Sequence, residues 1–241
     1  MSVTRARKER DKAAREELIL DHAGAMLLKD GFQNLNLDEL ARVVEYAKGT
    51  IYLHFQTKED LALAVATRAL KFRADLFERA SGFQGITRER MRAIGFACCQ
   101  FAVMHRDYFN VEMTLRSNSF WEKASEERRR LHGAQASRLF HATNEIVQEA
   151  IFRGDLPAGT RAPDVTLSLI SVTMGSHIAA MEPDIQLLCG VDNPIAAVRR
   201  NQDLMCDGWG WKPLLREFDY AATDRRIKDG VFPEADWFQA G

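Results

Sequence analysis

Cysteine is scarce in this sequence: the 241 residues hold four, Cys98, Cys99, Cys189 and Cys206. They have neither the density of a disulfide scaffold nor the CxxC pairs of a zinc site, and a reducing cytoplasm is the expected setting. Cys98 and Cys99 are adjacent, and neighbours on a helix diverge by about 100 degrees, which argues against a shared metal or a relaxed disulfide between them. No run approaches 18 uncharged apolar residues, so no membrane span is expected. The basic start leads into polar helix rather than an apolar run, so no secretory signal is expected. A phosphate-binding glycine loop is missing, and Asp164 and His177 lie without a partner nucleophile, so no catalytic residue and no cofactor are expected. His105 and His177 lack two further ligands, so no metal is expected either. An excess of charge is also missing: 33 Lys and Arg face 34 Asp and Glu, a net charge of -1. That sum does not decide about nucleic acid, because attraction to phosphate depends on where the positive charge sits.

What is present is material for a helical core: 46% hydrophobic residues, with 14 Phe, 8 Met and 4 Trp. From Arg10 to Lys29 the apolar residues Leu18, Ile19, Ala23, Met26 and Leu27 follow a helical period that Gly31 stops. Asn36, with Glu39 three residues later, caps a short helix over 36–44 whose Leu37, Leu40, Ala41 and Val44 face inward. A break of about three residues at Glu45 to Ala47 leads into a helix over 48–55, where Ile51 and Phe55 are four apart. Thr57 and Asp60 cap a long helix over 58–80. After a connector at 81–87, helices are predicted over 88–105, 109–120, 121–152, 164–180 and, capped by Asn193 before Pro194, to about Trp211. Leu167 to Val172 has strand propensity, but its helical neighbourhood argues against a strand. Residues 218–241 mix aromatics with charge and stay ambiguous, and no internal repeat is found.

Two helices joined by a tight turn suit the DNA major groove, because one helix fits its width while the other bridges the backbone. The helix over 36–44 is the expected positioner and that over 48–55 the reader, locked by Leu40, Ala41, Ile51 and Phe55. Lys48, Gly49, Tyr52, Leu53 and His54 then face outward, with Tyr46 just before them. Lys48 suits a base acceptor or a phosphate, Gly49 permits close backbone approach, and Thr50, Tyr52 and His54 offer hydrogen-bonding groups to the phosphate chain. Lys58 adds a cation at a helix N-terminus. Spacing alone leaves the plainer reading open, that these are solvated faces of an ordinary helical hairpin. Residues 1–17 carry Arg5, Arg7, Lys8, Arg10, Lys12 and Arg15 against Glu9, Asp11, Glu16 and Glu17, which fits a DNA-contacting arm or a merely solvated terminus.

The run Leu37-Asp38-Glu39-Leu40-Ala41, then Lys48-Gly49-Thr50-Ile51-Tyr52-Leu53-His54-Phe55 and Thr57-Lys58-Glu59-Asp60-Leu61, closely resembles the N-terminal domain of the TetR family of bacterial transcriptional regulators. The match extends over about Leu18 to Leu61. The resemblance implies an all-α fold: a three-helix helix-turn-helix head joined through a fourth helix to a larger ligand-binding and dimerisation domain. Expected bounds are 1–57 for the head with its arm and 58–241 for the body. It also implies that Thr50, Tyr52, His54 and Lys58 take positions that contact DNA backbone. The departures lie in the turn, where the family usually has a small residue or glycine in place of Glu45 and often Ser or Pro in place of Ala47.

In the body, Met91, Cys98, Phe101, His105, Phe109, Met113, Phe120, Met174 and His177 offer the soft and aromatic lining that a small, apolar or amphipathic effector needs. The same stripe at helical spacing also reads as plain core. A two-fold operator needs two heads about 34 Å apart, hence a homodimer. The resemblance assigns its interface to the helices near 164–180 and 194–211. The expected function is a ligand-responsive homodimeric repressor on double-stranded operator DNA in the cytoplasm. An activator or dual regulator on the same fold fits the sequence equally, and a helical protein without DNA binding is the remaining rival.

Overall fold

The computed structural model describes residues 3–116 and 119–238. Among them are eleven α-helices and no strand. The order is α1 (Val3–Asn34), α2 (Leu37–Val43), α3 (Lys48–His54), α4 (Lys58–Ser81), α5 (Thr87–Met104), α6 (Arg106–Arg116), α7 (Glu126–Arg153), α8 (Ala162–Met181), α9 (Pro183–Cys189), α10 (Pro194–Gly208) and α11 (Tyr220–Gly230). Short 3-10 turns lie at Ser119–Glu122 and Leu215–Glu217. The strand propensity near Leu167 is overridden, and the segment is helical throughout.

The chain divides into two compact units, residues 1–71 with 106–135, and residues 72–105 with 136–241. The first unit, the head, is organised on one apolar cluster. Ile19, Ala23 and Leu27 of α1 meet Leu37, Leu40 and Ala41 of α2, Ile51 and Phe55 at α3, and Leu61 to Ala66 of α4. Val111 and Leu115 of α6 join the same cluster. Burying a side chain such as Ile51 or Phe55 contributes about 1.5–3 kcal/mol, enough to hold helices too short to persist alone. Gly31 breaks α1 as its position predicts: its φ of 74° kinks the helix, and the chain turns so that Phe32 and Leu35 enter the core.

In the second unit α8 packs along α10, and α5 packs against α8, α10 and α11. Arg88, buried in the first turn of α5, donates to the carbonyls of Trp211 and Pro213 at 2.7 and 2.8 Å and pairs with Asp207 at 2.6 Å. The indole of Trp211 is fully buried and donates to Thr87 Oγ1. The stretch 218–241, ambiguous in the sequence, contributes α11 and a tail in which Phe232 stacks on Phe96 with centroids 5.4 Å apart. No helix among the described residues is long and apolar enough to cross a membrane.

Candidate nucleic-acid interface

The turn between α2 and α3 explains how the two helices meet. α2 begins on Asn36, whose side chain accepts from the N–H groups of Asp38 and Glu39. It ends in a Schellman motif: Tyr46 N–H donates to Ala41 O at 3.0 Å and Glu45 N–H to Arg42 O at 3.3 Å. The residue between the cap and Tyr46 must be left-handed, and Glu45 has φ 57°. This is the position glycine fills best, because a Cβ is strained there. Tyr46 is half-buried and packs on the head core, so its ring serves the turn as much as the surface. Ala47 then caps α3 with no side-chain hydrogen bond.

On α3, Ile51 is fully buried, and so is Phe55 immediately after it. Their spacing turns Lys48, Gly49, Tyr52 and Leu53 outward, with Thr50 half-buried at the edge. A Cβ placed on Gly49 would meet nothing within 4 Å, so the backbone there faces open space. Leu53 is 84% exposed, an unusual place for a leucine. It shares the exposed face of α3 with Lys48, Gly49 and Tyr52, and its signal in the sequence was an apolar residue out of phase with Ile51 and Phe55. An apolar contact of this kind suits a thymine methyl.

The placement of His54 differs from the outward one expected from the sequence. Its side chain is only 5% exposed and lies with Nδ1 3.5 Å from Glu16 Oε2, because α1 and the start of α7 cover the end of α3. The two lysines are accessible but engaged. Lys48 Nζ is 2.6 Å from Asp38 Oδ2, and Lys58 Nζ donates to Gln33 O at 3.1 Å while lying over the Phe32 ring. Near the turn the exposed charges are mixed, with Arg42 and Lys48 among Asp38, Glu39 and Glu45. Sequence reasoning did not find Arg128, which reaches α3 from 74 residues away.

The nine residues expected to line an effector site fall in both units. Met91, Cys98, Phe101, His105, Met174 and His177 lie in the second, and Phe109 and Met113 in the first. The side chain of Phe120 is outside the described residues. Phe101 and His105 come together with Phe72, whose ring stacks on His105 with centroids 5.1 Å apart. His177 is buried and donates from Nδ1 to Thr173 O at 2.8 Å. Burial pushes Cys99 up to about 12, so this thiol is protonated and behaves as an apolar group. A surface groove of about 770 Å³ between Gly82, Phe83 and Gln84 and the α11 residues Arg225 and Arg226 is lined by none of the nine. No group of three or more metal-ligating side chains occurs among the described residues.

Residues 19–65 match the family described as bacterial regulatory proteins, tetR family. No curated protein matches the chain. Solved structures resemble it closely in fold. A TetR family transcriptional regulator, PfmR from Thermus thermophilus, is 19% identical with a TM-score of 0.60, covering 78% of this chain and 96% of that one. FadR from Bacillus subtilis, solved in complex with stearoyl-CoA, is 15% identical with a TM-score of 0.64, covering 80% and 98%. A putative transcriptional regulator from Saccharomonospora viridis, in complex with choline, is 18% identical with a TM-score of 0.61, covering 81% and 96%.

Proposed function

We propose that this chain, whose residues 19–65 match the family of bacterial regulatory proteins, tetR family, is a homodimeric, effector-responsive repressor of transcription that reads a palindromic operator through α3. The observation that carries this reading is the short helix α3, locked from beneath by Ile51 and Phe55 and presenting Lys48, Gly49, Tyr52 and Leu53 to solvent. An α-helix of this exposure fits the major groove, with Thr50, Tyr52 and Lys58 available to phosphate oxygens. The side chain of His54 is covered, so it is left out of this reading. In this reading the functional head occupies 1–57 and the effector and dimerisation region 58–241.

Dimerisation through α8 and α10 is supported by apolar residues left exposed on them, Leu167, Ile170, Ile178 and Leu204. Single exposed leucines are ordinary, but several on two adjoining helices call for a partner. A small amphipathic effector is the ligand class in keeping with relatives of this fold solved with stearoyl-CoA or choline. Effector binding lowers operator affinity only to the extent that it binds the two states of the dimer differently. An activator on the same fold uses the same head.

The test is a titration of purified protein against double-stranded fragments from its own upstream region, with Tyr52→Ala and Lys58→Ala as controls. Specific binding by the parent, weakened in both variants without loss of folding, supports the assignment. A parent that binds no fragment better than random DNA overturns it. Equal affinity with and without saturating effector would remove the effector response alone.

A further inference from the structure

Arg128 stands in the first turn of α7, yet its side chain is spent on the end of α3. Nη2 donates to the carbonyl of His54 at 3.0 Å, Nη1 meets Glu16 Oε1 at 2.9 Å, and the guanidinium lies 4.6 Å from the centre of the Phe55 ring. The side chain is 17% exposed. His54 is the last residue of α3, and the last carbonyls of a helix have no partner within it. They also form the negative end of the helix dipole, so a cation held there by a hydrogen bond answers both needs. The stack on Phe55 adds a cation–π contact on the residue that locks α3 to the core.

The base from which Arg128 acts is itself fixed. The N–H of Ser125 donates to Oδ1 of the buried Asp60 at 2.7 Å, tying the start of α7 to the first turn of α4. One turn beyond Arg128, His132 Nδ1 lies 3.3 Å from Thr67 Oγ1, and its ring meets Trp121 edge-on. Glu16, from α1, pairs with Arg128 and also faces His54, so it orients the guanidinium toward the carbonyl. α1 and α7 therefore meet at the C-terminal end of α3, with α7 anchored on α4. With seven residues, α3 cannot hold its own last turn, since nucleating a helix costs more than so short a run returns.

We propose that Arg128 is a positioning residue for DNA recognition: it clamps the C-terminal end of the reading helix, and α7, unbroken from Glu126 to Arg153, acts on α3 through this guanidinium. The inference rests on the assignment of α3 as the reader. It adds a control point that touches no DNA.

The experiment uses the full chain with Arg128→Ala, Arg128→Lys and Glu16→Gln, read in two ways. Hydrogen exchange without DNA follows the amides of 51–55 against those of the α1 and α4 core. DNA titration across a salt series gives affinity and the number of phosphates engaged. For Arg128→Ala, exchange at 51–55 is expected to speed up about tenfold while the core amides keep their protection, the scale of a lost helix cap. DNA affinity is expected to fall about tenfold with an unchanged salt slope, because no phosphate contact is removed. Arg128→Lys, which keeps a charge near the carbonyl, restores part of both, and Glu16→Gln moves both by less. Unchanged exchange at 51–55 overturns the clamp. A salt slope reduced by about one overturns it too, since Arg128 would then be a phosphate contact. If Arg128→Ala unfolds the head, Arg128→Lys decides: exchange and affinity equal to the parent's overturn the proposal. A parent that binds no DNA overturns the reader assignment, whereas the exchange comparison still judges the clamp on its own.

Discussion

Lys48 Nζ lies 2.6 Å from Asp38 Oδ2, so the first cation of α3 is held by a carboxylate of the helix before it. Both side chains are well exposed, and such a pair contributes little to stability, at most about 0.5–1 kcal/mol. In the proposed reading of α3, a phosphate competes with Asp38 for the same ammonium group. Asp38→Asn is therefore expected to raise DNA affinity about two- to fivefold, with urea unfolding shifted by less than about 0.5 kcal/mol. Weaker binding by the variant in a salt-matched titration would show that Asp38 instead orients Lys48 for its contact.

Glu45 and Ala47 each occupy a position better served by another residue, and the two changes act by different means. Glu45→Gly removes the strain of a Cβ at φ 57° within the Schellman turn and is expected to stabilise the chain by about 1 kcal/mol. Ala47→Ser supplies the missing side-chain cap of α3 and is expected to add about 0.5–1.5 kcal/mol. Thermal unfolding would read each as a rise in Tm of about 2–4 °C. A fall in Tm for Glu45→Gly would mean that the glutamate makes a compensating contact.

These two positions mark how far the sequence could be read. The lock of α3 was legible because it is local: Ile51 and Phe55 are four residues apart, and Asn36 announces the start of α2. Glu45 and Ala47 stood out as departures from a turn signature, and the turn geometry gives the physical reason. The inward placement of His54 was not legible, because helical phase leaves it at the edge of the buried face and Glu16 and Arg128, which cover it, are 38 and 74 residues distant. The helix at Pro183–Cys189 was missed for want of a buried face: none of its residues is buried. The tail failed for the opposite reason, since Phe232 and Trp237 find their partners on α5 more than 130 residues away.

Stability should fall as the pH drops below neutrality, and His177 is a cause. Burial pushes its pKa below the ordinary 6.5; the bond to Thr173 O opposes this, and the charge of Arg73 adds to it. Burial also lowers His105. The unfolded chain therefore takes up protons near pH 6.5 that the folded chain refuses. The stabilisation is fully present above that pH and is lost as the pH falls toward the depressed folded value. The urea midpoint is expected to decline between about pH 7.5 and 5, and to decline less in His177→Gln. The carboxylates Glu149, Glu217 and Glu234, lowered by bonds to Arg90, to the Leu214 N–H and to Arg79 respectively, act only below about pH 4.5 and leave this window clear. An identical slope in the variant would assign the effect to other histidines.

Two buried carboxylates tie α11 to its neighbours: Glu89 of α5, which accepts from Thr223 and Arg226, and Asp224 of α11 itself. Asp224 accepts from Arg92 Nε and Nη2 at 2.6 and 2.8 Å and also pairs with Arg199, while Asp203 of α10 pairs with Arg92 from another side. Burial alone would lower the Arg92 pKa, but the bonds and charges of Asp224 and Asp203 reverse that and hold it above its ordinary value. The cluster is thus compensated only as a whole. Removing Asp224 leaves two largely buried guanidinium groups facing one carboxylate, a loss of the kind that costs about 3–5 kcal/mol. Asp224→Ala is expected to lose that much in urea unfolding of the full chain. Asp224→Asn, which keeps the shape and one acceptor, should lose about half. Because Trp237 donates to Gln100 on α5, release of the tail should also shift tryptophan emission to the red before the main transition. A change under about 1 kcal/mol in Asp224→Ala, with the emission unmoved, would mean that the aromatic stack on Phe96 and the Glu89 bonds to Thr223 and Arg226 hold the segment without the Asp224 cluster.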